Sequence, residues 1–486
     1  VTPKSVIERF RPLFEPKTVA VIGASSRGMT FPNIFIRRIR EFGFKGAIYP
    51  IHPSADTIDE LPAYRSLADT PEPVDYALIA VPGAQIPPML KVANGRVRFA
   101  QVISSGFGEA DDGKDLEADL AAAAREGGMR LLGPNCLGMY SHRGRITFTE
   151  TWPSEAGHIG AISQSGGLGT DLVRRGISRG LRFSAVLTVG NCADVGPNEL
   201  VEYFLADEHT RVIGMYVEAT KDGRRLFEIL REAKGRKPVV ILKGGRTRLG
   251  TMAAASHTGS LAGDDRAWVA LSKQTGCVLV ETLDDYVNAL LTFQALTPRS
   301  QNPTRETVLF GNGGGASVLA TDLFARAGLD VVPFGKAALD ALTALKLPPG
   351  TSITNPVDTP VGTLQQDDGG VAEKILEIIY GLARPQVLVL HLNMSAFVGR
   401  TRADILGNVA QIALRVQERY PGQAHFVLVL RADGEPALEE RKREFRAKAV
   451  ALGIPVYDEL PETARALAAL AGYERFLHTR KVRGEA

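Results

Sequence analysis

Short, largely apolar runs of four to six residues recur along the chain, many closed by glycine, serine or another polar residue and followed by a stretch with helical spacing. Residues 18–22, 46–51, 76–81 and 100–103 are such runs, as are 158–162, 185–189, 212–217 and 238–243, then 307–310, 387–392 and 426–430. Apolar residues without alternation at this length predict strands covered on both faces, the mark of a parallel sheet. Between the first two, Ile34, Ile36, Ile39 and Phe42 ahead of Gly43 predict a helix with a left-handed glycine stop. Strand, small-residue turn, helix and strand in this order predict an α/β fold of doubly wound sheets, with ligands at the carboxyl ends of the strands.

The pattern divides the 486 residues into three domains, 1–145, 146–300 and 301–486, with the less regular 139–156 as a linker. The third part repeats the second. Its run 307–310, the turn Gly311-Asn312-Gly313-Gly314-Gly315 and the stretch Leu319-Ala320-Thr321-Asp322-Leu323 echo Gly167-Leu168-Gly169-Thr170-Asp171-Leu172 and the strand before it. The run ending at Asn393 parallels the one ending at Glu218, and the run ending at Arg431 parallels the one ending at Lys243. A short helix over 461–471 and a basic tail that frays are expected at the end.

Composition narrows the function. Hydrophobic residues at 44% and charged residues at 23% fit a soluble globular protein, and a net charge of +3 without a concentrated basic run argues against nucleic acid as a partner. Cys136, Cys192 and Cys277 are too few and too widely spaced for a disulfide framework or a zinc site, so no metal is expected and the setting is the reducing cytoplasm. Residues 1–14 are too charged for a signal peptide, and no apolar run approaches the ~18 residues of a membrane span.

Candidate chemistry lies in the turns. Gly23-Ala24-Ser25-Ser26-Arg27-Gly28 follows the first strand, where backbone N–H groups and a helix N-terminus receive a phosphate. An NAD enzyme carries an acid at the end of its second strand; Ile51-His52-Pro53-Ser54 has none, which turns the reading from NAD toward another phosphate-bearing nucleotide such as coenzyme A (CoA). Val81-Pro82 and Ser104-Ser105-Gly106 stand at later strand ends, and the segment Gly133-Pro134-Asn135-Cys136 closes this part. Ser163-Gln164-Ser165-Gly166-Gly167 is a second anion cradle; it lacks the Lys-Ser/Thr ending of a Walker A loop, and with serine at position 163 it is not a GxSxG hydrolase elbow.

The chain is organised around the stretch Ser256-His257-Thr258-Gly259-Ser260-Leu261-Ala262-Gly263, read as a loop of small residues after the run 238–243. His257 has no bulky neighbour to pack it into a core, so a large anion can approach it, and a neutral imidazole is a competent nucleophile at pH 7. Glu218, at the end of the run 212–217, is expected on the same sheet edge, where a carboxylate fixes the tautomer of an imidazole and stabilises its cation. Nothing after Arg431 resembles residues 256–263, so the histidine and the acid occur in one copy of the repeat only, which separates a chemical site from fold punctuation.

These residues resemble those of the NDP-forming acyl-CoA synthetases, specifically their CoA-binding alpha half, related to the succinyl-CoA synthetase alpha subunit. The likeness runs over almost the whole chain and rests on Val21-Ile22-Gly23-Ala24-Ser25, on residues 133–138, on residues 163–167 and on residues 254–263. It implies a Rossmann-like CoA-binding domain followed by two flavodoxin-like domains. It also implies that His257 is transiently phosphorylated, that Glu218 positions it, and that Ser163, Gln164, Ser165, Gly166 and Gly167 hold the phosphoryl group. CoA is then expected on Gly23, Ala24, Ser25, Ser26, Arg27, Gly28, Pro53, Val81, Pro82, Ser104, Ser105, Gly106 and Asn135. Two departures stand out: Cys192 occupies a turn position where the family commonly has lysine, and the 29–32 segment is poor in glycine. No ATP-grasp region follows the third part, so ATP (or GTP) and Mg2+ are expected on a separate ATP-grasp beta subunit, in a hetero-oligomer or a homodimer. The alternative is a non-catalytic sensor of CoA or acyl-CoA, which would need only the first domain.

Overall fold

The apolar runs become the parallel strands of three large sheets. The computed structural model describes residues 3–110, 113–150, 155–258, 264–396 and 405–485, with backbone alone at 256–258, 361, 365 and 405–407. Two compact units result, Val1–Leu283 and Asp284–Ala486.

Besides a small antiparallel hairpin, Thr57–Ile58 with Leu61–Pro62, the first unit holds two large sheets. Strands β1 (Thr18–Ile22), β2 (Ala47–Ile51), β3 (Val74–Ile79), β4 (Val97–Val102) and β5 (Arg130–Leu132) form one in the order β2-β1-β3-β4-β5, all parallel. This is the Rossmann order without its third strand, with the reversal of direction between β1 and β3. Strands β6 (Met139–Ser141), β7 (Ile159–Ser163), β8 (Phe183–Thr188), β9 (Val212–Val217), β10 (Val239–Lys243) and β11 (Val278–Val280) form the other, in the order β11-β10-β9-β7-β8-β6. Its parallel part has the flavodoxin-like order, with the reversal between β7 and β9. β6 pairs antiparallel with β8, so part of the expected linker serves as an edge strand: Met139 and Tyr140 are buried, which they would not be in a free linker.

One hydrophobic core runs through both sheets. The helix Pro3–Phe14 supplies the join: Phe10 stacks on Phe99 of β4 at 5.8 Å, and Phe14 stacks on Tyr203 of the helix Pro197–Ala206 at 3.8 Å and 2°. Each such buried ring is worth ~2 kcal/mol of burial, which is why a segment with so many charges still docks. The charges lie on the other face of the same helix.

The second unit repeats the flavodoxin-like order in β12 (Thr307–Gly311), β13 (Val357–Asp358), β14 (Val387–Asn393), β15 (His425–Arg431) and β16 (Val456–Tyr457), arranged β13-β12-β14-β15-β16 and all parallel. Phe310, Leu388, Leu390, Phe426 and Leu428 fill its core. The last helix, Leu460–Val482, runs well past the expected short helix and frayed tail. Glu474 explains the difference: it is fully buried and accepts hydrogen bonds from the Arg299 and Thr304 amides and from His425 Nε2, pinning the helix from within. Among the described residues no helix is long and apolar enough to cross a membrane.

Candidate functional site

The carboxyl edge of the first sheet collects every residue expected to meet CoA, because parallel strands end on one side. Gly23, after β1, adopts φ +99°, and a Cβ there would stand 2.3 Å from the Ala80 carbonyl, so only glycine lets the turn cross the end of β3 at the point where the sheet reverses. Ser25 builds the next turn: its Oγ accepts from the Arg27 and Gly28 amides at 3.1 Å, while its own amide donates to Asn33 Oδ1. Ser26, Arg27 and Gly28 are exposed beside the helix Phe31–Glu41. Pro53 and Pro82 are exposed, and Val81 is half-buried, with its carbonyl accepting from Ser104 Oγ at 2.6 Å. Ser105 and Gly106 are exposed, and the Gly106 amide already donates to Glu109 Oε1 at 2.6 Å. Asn135, at φ +55°, gives its amide to the Ser104 carbonyl. His52 Nδ1 accepts from the Ser54 and Ala55 amides, the work of a turn residue.

This edge meets the second sheet. Asn135 Nδ2 lies 3.4 Å from Asn191 Oδ1, and a Cβ on Gly190 would stand 2.2 Å from the Pro134 carbonyl. A Cβ on Gly166 would likewise fall 2.7 Å from Leu137 Cγ. The two turns therefore touch through main chain, which side chains would hold apart.

At the reversal point of the second sheet stands the turn 163–167. Ser163 Oγ donates to the Ser165 carbonyl, and Ser165 caps the helix Gly166–Arg179 by accepting from the Leu168 amide. The amides of Gly166 and Gly167 belong to the first helical turn and have no intrahelical acceptor, so they and the helix dipole suit an anion. Gln164 serves the frame instead of the cradle's mouth: its amide donates to the Tyr216 carbonyl, and its Oε1 accepts from the Glu218 and Ala219 amides. The repeat has the same bond, where Asn312 Oδ1 accepts from the Asn393 amide at 2.8 Å. In both copies an amide side chain in the first turn thus fixes the end of the third strand.

Glu218 is 6% exposed and follows directly on β9. Tyr216 Oη donates to its Oε1 at 2.9 Å, and burial together with that carboxylate pushes the phenol far above its ordinary range. Lys243, also buried, donates from Nζ to the carbonyls of Glu218 and Gly244 and lies over the Trp268 ring; burial pulls its ammonium below the usual lysine range. From there the chain passes Gly244 and Gly245 into the helix Arg248–Thr258, whose last residues include His257. Residues 256–258 continue the helix begun at Arg248, where a loop was expected, because Ala253, Ala254 and Ala255 are strong helix formers. The His257 side chain and Gly259, Ser260, Leu261, Ala262 and Gly263 lie outside the described residues.

Beside Gln164 opens a cavity of ≈ 440 Å³, lined by the turns 190–192 and 196–199 and by 219–222 after Glu218. Lys221 Nζ donates to the Cys192 carbonyl across it at 2.7 Å, so a lysine does reach the turn in which Cys192 stands. Burial pushes the Cys192 thiol up to about 11, which leaves it an inert wall residue. Tyr216, Lys243 and Lys221 are the residues that the turn motifs do not reveal; the two-residue period of a strand does place Tyr216 on the face of Glu218.

Residues 17–142 match the family described as a CoA binding domain, and residues 156–293 match the succinyl-CoA ligase like flavodoxin domain. The chain is 36% identical over 414 residues to the alpha subunit of acetate–CoA ligase [ADP-forming] I of Pyrococcus furiosus, covering 81% of this chain and 85% of that one. It is 30% identical over 459 residues to the alpha subunit of ligase II of the same organism, covering 94% and 96%. Among solved structures, the dinucleotide forming acetyl-coenzyme A synthetase 1 of Ca. Korarchaeum cryptofilum, in complex with phosphate and ADP, matches with a TM-score of 0.82 at 29% identity, over 98% of this chain and 99% of that one. With sheet order, turns and these likenesses in agreement, the chain belongs to the alpha subunits of the ADP-forming acyl-CoA ligases.

Proposed function

We propose that the protein makes acyl-CoA from a small carboxylic acid, CoA and a nucleoside triphosphate, with His257 as the phosphoryl carrier. A carboxylate does not react with a thiol at pH 7, so it must first become an acyl phosphate. A neutral imidazole takes the terminal phosphoryl group of the nucleoside triphosphate and releases the diphosphate. Its labile N–P bond passes the group to the carboxylate, and the CoA thiolate then displaces phosphate from the acyl phosphate. Transfer of this kind is largely positioning and charge stabilisation. In this reading the Gly166 and Gly167 amides and the helix behind them hold the phosphoryl oxygens, Ser163, Gln164 and Ser165 shape that turn, and Glu218 orients the imidazole and balances its charge.

CoA is assigned to the first sheet's edge, through the turn from Gly23 to Gly28, Pro53, Val81, Pro82, Ser104, Ser105, Gly106 and Asn135. The exposed Arg27 and the open turn beside a helix N-terminus fit a diphosphate. The acid is assigned to the cavity between the turns 190–192 and 219–222, since it adjoins both Gln164 and the junction with the first sheet. ATP or GTP with Mg2+ belongs, in this reading, to an ATP-grasp beta subunit; the alpha-subunit names of the Pyrococcus relatives support a second subunit of some kind. The reading also includes the three-domain division near 145 and 300, a hetero-oligomer or homodimer, and a cytoplasmic setting.

The observation that carries this function is that Glu218 and the cradle 163–167 meet at the reversal point of one sheet, next to the strand that leads into the His257 helix. The test is labelling. Incubated with an ATP-grasp subunit and γ-labelled ATP, the protein should incorporate phosphate at His257; His257→Ala should abolish the label while CoA binding persists, and undiminished label would refute the assignment.

A further inference from the structure

We propose that Tyr216 is the positioning residue for Glu218, fixing which carboxylate oxygen is presented to the histidine. This rests on the assignment of Glu218 to the imidazole made above. Tyr216 and Glu218 alternate along one strand end and so share a face. The phenol donates to Oε1 at 2.9 Å. A phenol pushed so far up by burial stays protonated at any working pH and can only donate to the carboxylate. The main chain of Glu218 is held at the same time from both sides, its amide by Gln164 Oε1 and its carbonyl by Lys243 Nζ at 2.8 Å. With the backbone fixed, the carboxylate is aimed by its side-chain torsions, and the Tyr216 bond restrains them at Oε1.

The wall opposite is built for this pair. A Cβ on Gly244 would stand 2.8 Å from Tyr216 Oη and 3.2 Å from Glu218 Cγ, so the turn after β10 closes over the bond without displacing it. The repeat offers a control within the same chain. There the strand-end position of Glu218 is Asn393, and the position of Tyr216 is His391, whose Nε2 faces Ser317 Oγ at 3.3 Å. The backbone bond from the first turn persists in that copy. The hydroxyl and the carboxylate are both absent from it, as expected if they act as a unit in phosphoryl transfer and not in holding the fold.

The test uses the full chain with its ATP-grasp subunit and γ-labelled ATP, measuring the single-turnover rate of His257 labelling, the KM for ATP and the Kd for CoA. Tyr216→Phe keeps the ring and removes only the hydroxyl. It should slow labelling about tenfold, the size of one hydrogen bond to a charged acceptor, with KM and Kd unchanged within about twofold. In a Glu218→Gln background the same substitution should have no further effect. A Tyr216→Phe protein that labels like wild type, or whose loss multiplies with that of Glu218→Gln, overturns the inference alone. Normal labelling by Glu218→Gln overturns the assignment of Glu218 itself, and the positioning role with it.

Discussion

Arg246 and Asp265 clasp the two ends of the segment that carries His257. The guanidinium Nε donates to Oδ1 at 2.5 Å and Nη2 to Oδ2 at 3.3 Å, with Glu281 a further 3.7 Å ion-pair partner. Arg246 precedes the helix Arg248–Thr258, and Asp265 opens the helix Asp265–Thr275, so the fork joins the start and finish of the excursion. Both side chains keep 24% and 33% exposure, which limits the contribution to global stability to about 1 kcal/mol. The local effect is larger, because an unclasped segment has more conformations from which to bring its imidazole into line. Arg246→Gln should therefore leave the urea midpoint nearly unchanged and slow His257 labelling about fivefold. Exchanging the charges, Arg246→Asp with Asp265→Arg, should recover part of the rate; no recovery would mean the pair is not acting as a clasp.

Gly244 has an ordinary backbone conformation, so its lack of a side chain matters through space alone. A methyl group there meets Tyr216 Oη at 2.8 Å, inside any real Cβ contact, and Glu218 Cγ at 3.2 Å. Gly244→Ala should fold, with thermal unfolding within a few degrees of wild type, yet lose about a hundredfold in acyl-CoA formation as the Tyr216–Glu218 pair is pushed aside. Loss of the fold instead would show that the turn cannot yield at all. Paired measurement of the melting curve and the rate separates the two.

Sheets of this kind are written plainly in a sequence. The runs 19–22, 212–215 and 387–390 are largely aliphatic, rich in β-branched residues and buried on both faces, as strands inside a parallel sheet are. The strand-end glycines and Glu218 follow from the same pattern, because a parallel sheet sends all its carboxyl ends to one edge. What the pattern hides is tertiary. Tyr216 passes for core filling until its hydroxyl is seen on Glu218. Arg246 and Asp265 are 19 residues apart, and no local pattern pairs them. Phe10 and Phe14 sit among charges, and Glu474 sits in what reads as a basic tail, so each looked peripheral until its partners, Tyr203 for one and His425 for the other, came from distant elements. Composition also misled locally: the serine and glycine around His257 suggested a loop from its start, whereas the alanines before it carry the helix on to Thr258.

Arg130 holds the first sheet against the second. Its Nε and Nη2 donate to the two oxygens of Asp194 at 2.9 and 3.0 Å, and Nη2 also reaches Glu199 Oε2 at 2.7 Å. Asp194 accepts the Leu131 amide as well, so the turn that walls the cavity is tied to β5 by three bonds. Arg130 keeps 30% exposure, so we discount the ~3–5 kcal/mol typical of breaking a buried pair to about 2 kcal/mol. Arg130→Met should lower stability by that amount, and Arg130→Lys should retain less than half of the contribution because it keeps the charge but loses the fork. Urea unfolding of both proteins, with Asp194→Asn to complete a double-mutant cycle, measures the coupling. Additive effects would mean that the pair does not join the sheets.

The last prediction concerns acid. His391 is fully buried at the end of β14, its Nδ1 has no hydrogen-bond partner among the described residues, and burial, aided by the Arg431 charge, lowers its pKa to about 4. A histidine in the unfolded chain takes its proton near 6.5. Between these two values the unfolded chain binds a proton that the folded protein refuses, so stability falls as pH drops through the window from 6.5 to 4. The loss should reach about 2 kcal/mol by pH 5 and about 3 kcal/mol at the bottom of the window. His391→Leu removes the titrating group and the orphaned nitrogen together. The difference in urea stability between wild type and this variant should therefore move by about 2 kcal/mol, in the variant's favour, from pH 7.5 to pH 5. A difference that stays constant across that range would mean that the folded protein protonates His391 as readily as the unfolded chain does.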